Sequence, residues 1–272
     1  MAIALSDTIF SGSIPEIYET YLVPLIFEPY AKDLAGRVGD KPVSRVLEVA
    51  AGTGVLTRAM VDALEPNISI VATDLNQTML DYGASLRADK NVDWRQADAL
   101  ALPFEDATFD AVVCQFGVMF FPDRARAYSE ALRVLKRGGW FLFNVWDHIR
   151  ENEFADTVTE SLASVFPADP PLFLARTPHG YSDIGEVAAD LRRGGFTAIP
   201  NIETMAARSR ASNPSIPANA YCQGTPLRNE IESRAGSLLK YATDVATAAV
   251  SERFGAGAVD GKIQAHVVSI RA

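Results

Sequence analysis

Glu48 stands near the end of a short β-branched, apolar run, residues 43–49, and is followed at once by Ala50, Ala51, Gly52, Thr53 and Gly54. Glycines in that position let a chain turn sharply into a helix and let its backbone approach a ligand. Two ligand classes suit such a turn. A dinucleotide loop wants a third glycine, but Thr57 stands there. It also places pyrophosphate beside the turn, where the Glu48 carboxylate would repel it. A P-loop is excluded because no Gly-Lys-Ser/Thr follows. The acid suits a ligand that carries positive charge and amine donors. The plain alternative is a tight strand-to-helix turn with no ligand.

A second acid, Asp74, ends the next apolar run, 22 residues after Gly52. A carboxylate at that strand tip can accept from both hydroxyls of a ribose. It could equally cap the helix expected at 76–87. Asp98 follows a third run, and there an acid can accept from the exocyclic amine of adenine while the Ala99 N–H donates to the ring. The alternative for Asp98 is a solvated loop acid. His148, just past the run 140–146, could serve as a base, although a loop histidine without a catalytic task is the preferred reading. Cys114 falls inside an apolar run and reads as core rather than nucleophile.

The elements that must carry these residues alternate. Strands are expected at 43–49, 68–73, 92–96, 109–116 and 140–146, with helices at 55–65, 76–87 and 123–136 between them. Cations and glycines at Lys136, Arg137, Gly138 and Gly139 read as a helix stop. Short continuous apolar strands alternating with helices imply a parallel sheet covered on both faces. Residues 14–38 look helical and aromatic-rich, broken by Pro15, Pro24 and Pro29. Tyr18, Tyr21, Phe27 and Tyr30 there share a helical face and read mainly as core. Further on, 151–166, 183–194 and most of 218–254 look helical, and 196–207 and 262–270 could be strands. The roughly fifty residues between those two strands are too many for a plain loop and suggest a helical cap.

Composition narrows the function. The 272 residues include 25 Lys plus Arg against 34 Asp plus Glu, a net charge of −9, with no basic run to follow a nucleic acid. Two cysteines and three widely spaced histidines give neither a disulfide framework nor a metal-ligand pattern. No run of 18 apolar residues is present, so no membrane span is expected. The opening MAIALSDTIF lacks the features of a signal peptide, and a cytoplasmic protein is expected.

The pieces VLEVAAGTG (46–54), VATDLNQTML (71–80), QADALALPFEDATFDAVVCQFGVMFFPD (96–123) and VLKRGGWFLFNVW (134–146) together resemble class I S-adenosylmethionine-dependent methyltransferases, particularly the quinone-biosynthesis C-methyltransferase-like branch. The resemblance covers residues 40–147 well and the flanks loosely. It implies an α/β, Rossmann-like fold with a mostly parallel seven-stranded sheet, helices on both faces, a helical insertion near the C-terminus, and a last antiparallel strand near 262–270. It divides the chain into an N-terminal helical segment, 1–40, whose helix closes over the cofactor in such enzymes, and a methyltransferase domain, 41–272. Segments 150–182 and 211–258 are the expected acceptor lid, with Phe154, Phe166, Leu172, Phe173, Tyr181, Tyr221 and Tyr241 suggesting a small, partly apolar acceptor. The implied cofactor is S-adenosyl-L-methionine. Glu48, Ala50, Gly52, Thr53 and Gly54 would surround its methionine part, Asp74 the ribose, Leu75 and Met79 the adenine, Asp98 and Ala99 the adenine edge, and Gln115 the methionine end by its backbone.

Two departures stand out. Ala50 replaces the family's first loop glycine and is expected to take a negative φ. Val118, Met119 and Phe120 replace a Leu-His-His-like run, so roles carried by those histidines do not transfer. The expected activity is methyl transfer to a small organic molecule. The rivals are a nicotinamide-dependent oxidoreductase, which Glu48 and Thr57 oppose, and a cofactor-binding protein without turnover. The sequence names neither the acceptor nor the methylated atom, and leaves open whether identical chains assemble.

Overall fold

The computed structural model describes residues 12–272; the opening segment read above as lacking a signal peptide, and the first residues of the 1–40 segment, lie outside the described residues. Seven strands, β1 (Arg45–Val49), β2 (Ser69–Asp74), β3 (Val92–Gln96), β4 (Phe109–Gln115), β5 (Leu135–Trp146), β6 (Asn201–Ala211) and β7 (Val259–Arg271), form one sheet in the order β3-β2-β1-β4-β5-β7-β6. The pairs β1–β2, β1–β4, β2–β3 and β4–β5 are parallel. β7 runs the other way: Gly138 N donates to Ala272 O near one end of β5, and Asp147 N donates to Gln264 O near the other.

The described helices are α1 (Ile14–Ile17), α2 (Glu28–Gly39), α3 (Val55–Ala63), α4 (Gln77–Leu86), α5 (Arg124–Val134), α6 (Glu153–Val165), α7 (Phe173–Arg176), α8 (Ile184–Arg193), α9 (Ser215–Gln223), α10 (Leu227–Ala235) and α11 (Leu239–Phe254). Two compact units result. One comprises 28–145, 181–205 and 265–272 and holds most of the sheet; the other comprises the described residues up to Phe27 together with 146–180 and 206–264.

In the sheet unit, strand alternation decides the layers. Leu142 of β5 joins Val46, Ile70, Ala111 and Val113 in a core with Leu34 and Val38 of α2 and Leu56 and Met60 of α3. Phe141 and Phe143, one residue to either side of Leu142, face the opposite way and pack on Tyr128 of α5, with ring centroids 5.6 and 5.5 Å apart. Helices therefore cover both faces, as continuous apolar strands require. Tyr128 and Tyr181 meet through their hydroxyls, and Tyr181 donates to Asp190 of α8 at 2.8 Å, so this second core carries a satisfied polar chain.

The helical unit packs Phe154 of α6 edge-on to Phe254 of α11 at 4.9 Å. Its Glu230 accepts from the Leu172 and Phe173 N–H groups and from Arg176, fixing the first turn of α7 to α10. The expected lid segments, 150–182 and 211–258, fall almost wholly in this unit, Tyr181 and Ser182 excepted.

Several local expectations need correction. The prolines do not break the first helical stretch. Pro15 sits in the first turn of α1, where its missing N–H is not needed, and Pro24 lies within a widened, π-helical stretch, Tyr18–Phe27, that runs on into α2. The glycines at 138 and 139 do not stop a helix. α5 ends at Val134 and β5 begins at once, with Gly138 at φ +78° where the β4–β5 register shifts. The sixth strand lies later than 196–207, at Asn201–Ala211, since Pro200 just before it has no N–H to give a ladder. The long helical stretch near the C-terminus divides into α9, α10 and α11, with Gly224 and Pro226 at one break and Gly236 at the other.

Candidate functional site

The sheet register brings the singled-out residues to one edge of the sheet unit. Glu48 pairs with Ala72 and Val113 in the neighbouring strands, Asp74 with Gln96, and Gln115 with Asn144. These are the carboxyl ends of parallel strands, the edge at which open α/β sheets bind ligands.

Glu48 is 1% exposed. Its Oε2 accepts from the Thr57 hydroxyl at 2.5 Å, so the residue that stands where a dinucleotide loop has its third glycine fixes the acid instead. Burial raises the Glu48 carboxyl to about 8, against a lowering by the Thr57 hydrogen bond and by Arg58 nearby, while Asp74 adds to the rise. Asp74 is also buried, and burial raises it from the ordinary carboxylate range against bonds from Asn76 and Gly52. Its Oδ2 accepts from Gly52 N at 2.8 Å and its Oδ1 from Asn76 N at 2.8 Å. Asp74 thus ties the glycine loop to the tip of β2. It does not fill the cap position of α4, which begins at Gln77 with Asn76 at its cap.

The loop is held tightly. Ala51 N donates to Thr73 O, Gly54 N to Ala51 O, and the Thr73 hydroxyl to Glu48 O. Gly52 and Gly54 take φ of +56° and +81°, the left-handed region where glycine alone is free of strain. At Gly54 the space is also full: a Cβ there would lie 2.4 Å from Cη2 of Trp94. Trp94 of β3 reaches Gly83 of α4 as well, and this buttress of the loop carried no signal in the sequence beyond an aromatic in a weak strand.

Ala50 departs from expectation. It takes φ +56°, not a negative value. Leaving β1 into this turn demands the left-handed region at that residue whichever side chain stands there, so the alanine carries the strain, about 1–2 kcal/mol. A second non-glycine residue in this conformation, Phe116 at φ +51°, follows Gln115 at the end of the neighbouring strand β4. Backbone strain of this kind gathers at binding sites.

The other expected residues are placed as follows. Met79 is buried, and its Cε would lie 3.6 Å from a Cβ at Gly52; Leu75 is exposed. Ala99 is buried, and Asp98 is exposed, accepting from Leu100 N at 2.9 Å. Gln115 is buried at the tip of β4. Val118–Phe120 forms a single turn with Val118 and Met119 buried. Cys114 is buried, and burial pushes its thiol well above the ordinary range, which suits the core role expected of it. Of the N-terminal aromatics, Tyr30 meets Phe116 edge-on at 5.2 Å and donates to Met205 O, while Tyr18 stacks on Phe27 in the helical unit.

His148 belongs to the helical unit, is exposed, and accepts from Arg150 N at 3.3 Å through Nδ1, capping the short turn at Ile149–Glu151. The same unit buries a histidine that was not singled out, His179. Its Nδ1 lies 2.8 Å from Asp147 O, and burial lowers it to about 4, so it stays neutral near pH 7. Two buried polar atoms at the sheet edge have no hydrogen-bond partner among the described residues: Thr53 Oγ1 in the loop and Asn144 Nδ2 at the end of β5. The strand pattern offered Asn144 as a lone amide in the apolar run WFLFNVW. Among the described residues no cluster of three His, Cys, Asp or Glu side chains is placed to hold a metal, and no helix is long and apolar enough to cross a membrane.

Residues 47–143 match the family model described as a methyltransferase domain. A demethylmenaquinone methyltransferase of Renibacterium salmoninarum is 39% identical over 131 residues, 48% of this chain and 53% of that protein. A ubiquinone/menaquinone biosynthesis C-methyltransferase of Rhizobium leguminosarum is 32% identical over 179 residues, 58% of this chain and 67% of that protein. The chain spans about half the length of most of the curated relatives it matches. Among solved structures, the YcgJ protein of Bacillus subtilis superposes with a TM-score of 0.55 at 19% identity, over 89% of this chain and 98% of that one, a likeness of fold.

Proposed function

This chain belongs to the class I S-adenosylmethionine-dependent methyltransferases, and from that premise we propose that it transfers a methyl group from S-adenosyl-L-methionine to a small organic acceptor. The observation that carries the reading is the pair of buried acids, Glu48 and Asp74, at the tips of adjacent strands, Glu48 held by the Thr57 hydroxyl and Asp74 by Gly52 N of the glycine loop.

The residues present fit that cofactor. Asp74 accepts from Gly52 N through Oδ2 and from Asn76 N through Oδ1, and a carboxylate fixed in this way at the strand tip can also accept from ribose hydroxyls. Glu48, held by the Thr57 hydroxyl at the tip of β1, is the acid that a cationic amine would meet there. Thr53 Oγ1 is a buried polar atom with no hydrogen-bond partner among the described residues. A pyrophosphate would meet two acids here, which disfavours the oxidoreductase reading. When bound, the cofactor supplies a methyl group already activated on a sulfonium. What remains for the chain is to bind, orient and keep water away. Glu48 and the loop at Ala50–Gly54 would hold the methionine part, Asp74 the ribose, Leu75, Met79, Asp98 and Ala99 the adenine, and Gln115 the methionine end by its backbone. We assign no catalytic base: His148 already caps a turn through Nδ1.

The net charge of −9 favours a small acceptor over a polyanion. One relative is named for demethylmenaquinone and another for ubiquinone/menaquinone biosynthesis, so a demethylated quinone of this kind heads the acceptor panel, with other partly apolar phenols and amines behind it. Calorimetric titration with S-adenosylhomocysteine, followed by detection of S-adenosylhomocysteine formed with each acceptor, tests the reading. Binding with turnover supports it, binding without turnover on any acceptor favours the non-catalytic rival, and enhanced NADH fluorescence without binding would transfer the case to the oxidoreductase.

A further inference from the structure

Asn144 is fully buried near the end of β5, in register with Gln115 of β4, in a run that is otherwise apolar. An amide is costly to bury in such a strand unless it replaces a hydrogen bond that the backbone lacks. Here it does. Phe116, the first residue past β4, turns to φ +51° and leaves the ladder, and its N–H donates to Asn144 Oδ1 at 2.9 Å. The left-handed conformation disfavours itself in a phenylalanine, so it needs such a fixture.

The turn held in this way reaches the glycine loop. A Cβ at Gly117 would lie 2.5 Å from the Cβ of Ala50 and 2.7 Å from Cys114 Sγ, so the exit from β4 rests directly on the strained first residue of the loop. Asn144, Phe116, Gly117 and Ala50 thus form one continuous path from the tip of β5, across β4, to the loop that follows β1. The other end of the amide, Nδ2, has no partner among the described residues.

We propose that Asn144 is a positioning residue whose side-chain amide holds the Phe116–Gly117 turn, and through it Ala50, in the shape that binds the methyl donor. This rests on the methyl-donor reading above and adds a residue to it. An ordinary packing role would lower stability and leave affinity alone. A positioning role lowers affinity in protein that is still folded.

The test compares the wild type with Asn144→Leu, which removes the acceptor at similar volume, and with Asn144→Thr, a milder change suited to a strand. Each is titrated with S-adenosylhomocysteine by calorimetry, and its unfolding and its backbone amide spectrum are recorded. The expected result is a cooperative fold in both variants, affinity lower by about tenfold or more, as for one lost hydrogen bond to a buried group, and amide resonances of Phe116, Gly117 and Ala50 that move together. Wild-type affinity in either folded variant overturns the proposal. Should neither variant fold, the wild-type spectrum decides. Shifts of the Phe116 N–H and the Asn144 side-chain amide on saturation with S-adenosylhomocysteine support the role, and unmoved resonances overturn it. A wild type without any affinity instead brings down the functional reading, and this inference with it.

Discussion

Replacing Glu48 by glutamine should strengthen the empty fold and weaken the bound one. The carboxyl lies near 8 in the folded chain and near 4.5 when solvated, so at pH 7 the native state holds a proton that the unfolded state has lost. Between those values the native state binds more protons, and stability therefore falls as pH rises from about 4.5 to 8. At pH 7 the penalty is on the order of 3 kcal/mol, from roughly 2.5 pH units at about 1.4 kcal/mol each; at pH 5 it shrinks to under about 1 kcal/mol. Glutamine cannot ionise and still offers an oxygen to the Thr57 hydroxyl, so most of that penalty should disappear. Urea unfolding of the ligand-free protein should show Glu48→Gln more stable than the wild type at pH 7, nearly equal at pH 5, and with a flatter pH dependence. Affinity should move the opposite way. A cationic ligand loses its charge partner, which is worth about 1.5–3 kcal/mol, or roughly ten- to hundredfold in S-adenosylhomocysteine binding by calorimetry. In the wild type, binding should tighten as pH rises toward 8 and release a proton, seen as a buffer-dependent enthalpy. A ligand-free variant less stable than the wild type at pH 7 would refute the buried-acid argument, and an undiminished affinity would refute the role in binding.

Asp74→Ala should weaken S-adenosylhomocysteine binding more than tenfold, because it removes the acceptor of Gly52 N along with any ribose contact; an unchanged calorimetric affinity would remove the ribose assignment. Ala50→Gly should relieve the left-handed strain and, after glycine's greater unfolded entropy is subtracted, raise stability by roughly 0.5–1 kcal/mol; a loss of stability in urea unfolding would contradict it. Gly54→Ala should cost about 2–4 kcal/mol, the sum of left-handed strain and overpacking against Trp94, and should alter tryptophan fluorescence. His148→Ala should leave cofactor affinity unchanged; a large loss of rate with an acceptor that must shed a proton would restore it as a base.

The sequence showed most clearly what depends on local pattern. β1, β2 and β4 fall within a few residues of their expected places because each is a short apolar run bounded by turn residues, and the acids at 48 and 74 are visible because they stand at the ends of such runs. It was less informative wherever a tertiary neighbour decides the outcome. Pro24 looks like a helix breaker until packing lets the helix widen around it. Gly138 and Gly139 carry every mark of a helix stop, yet a bulge beside β4 absorbs them into β5. Thr57 appeared only as the failure of a glycine pattern, although its hydroxyl is what secures Glu48. Trp94 and Asn144 showed in the sequence only as an aromatic in a weak strand and a lone amide in an apolar one, since their partners, Gly54 and Phe116, are distant in sequence.

Ala50 and Phe116 connect these local facts. Each is the residue at which a neighbouring parallel strand leaves the sheet, and each takes a conformation that glycine would accept more readily. A turn built of glycines at both places would form more easily but would also hold its shape less well, because the same freedom is available to the unbound loop. With side chains at both positions, few alternatives remain: Ala50 Cβ blocks any side chain at 117, and the Phe116 ring is seated on Tyr30. The strain at these two strand tips is the energetic counterpart of a loop already set before the ligand arrives, which lowers the ordering that binding must supply.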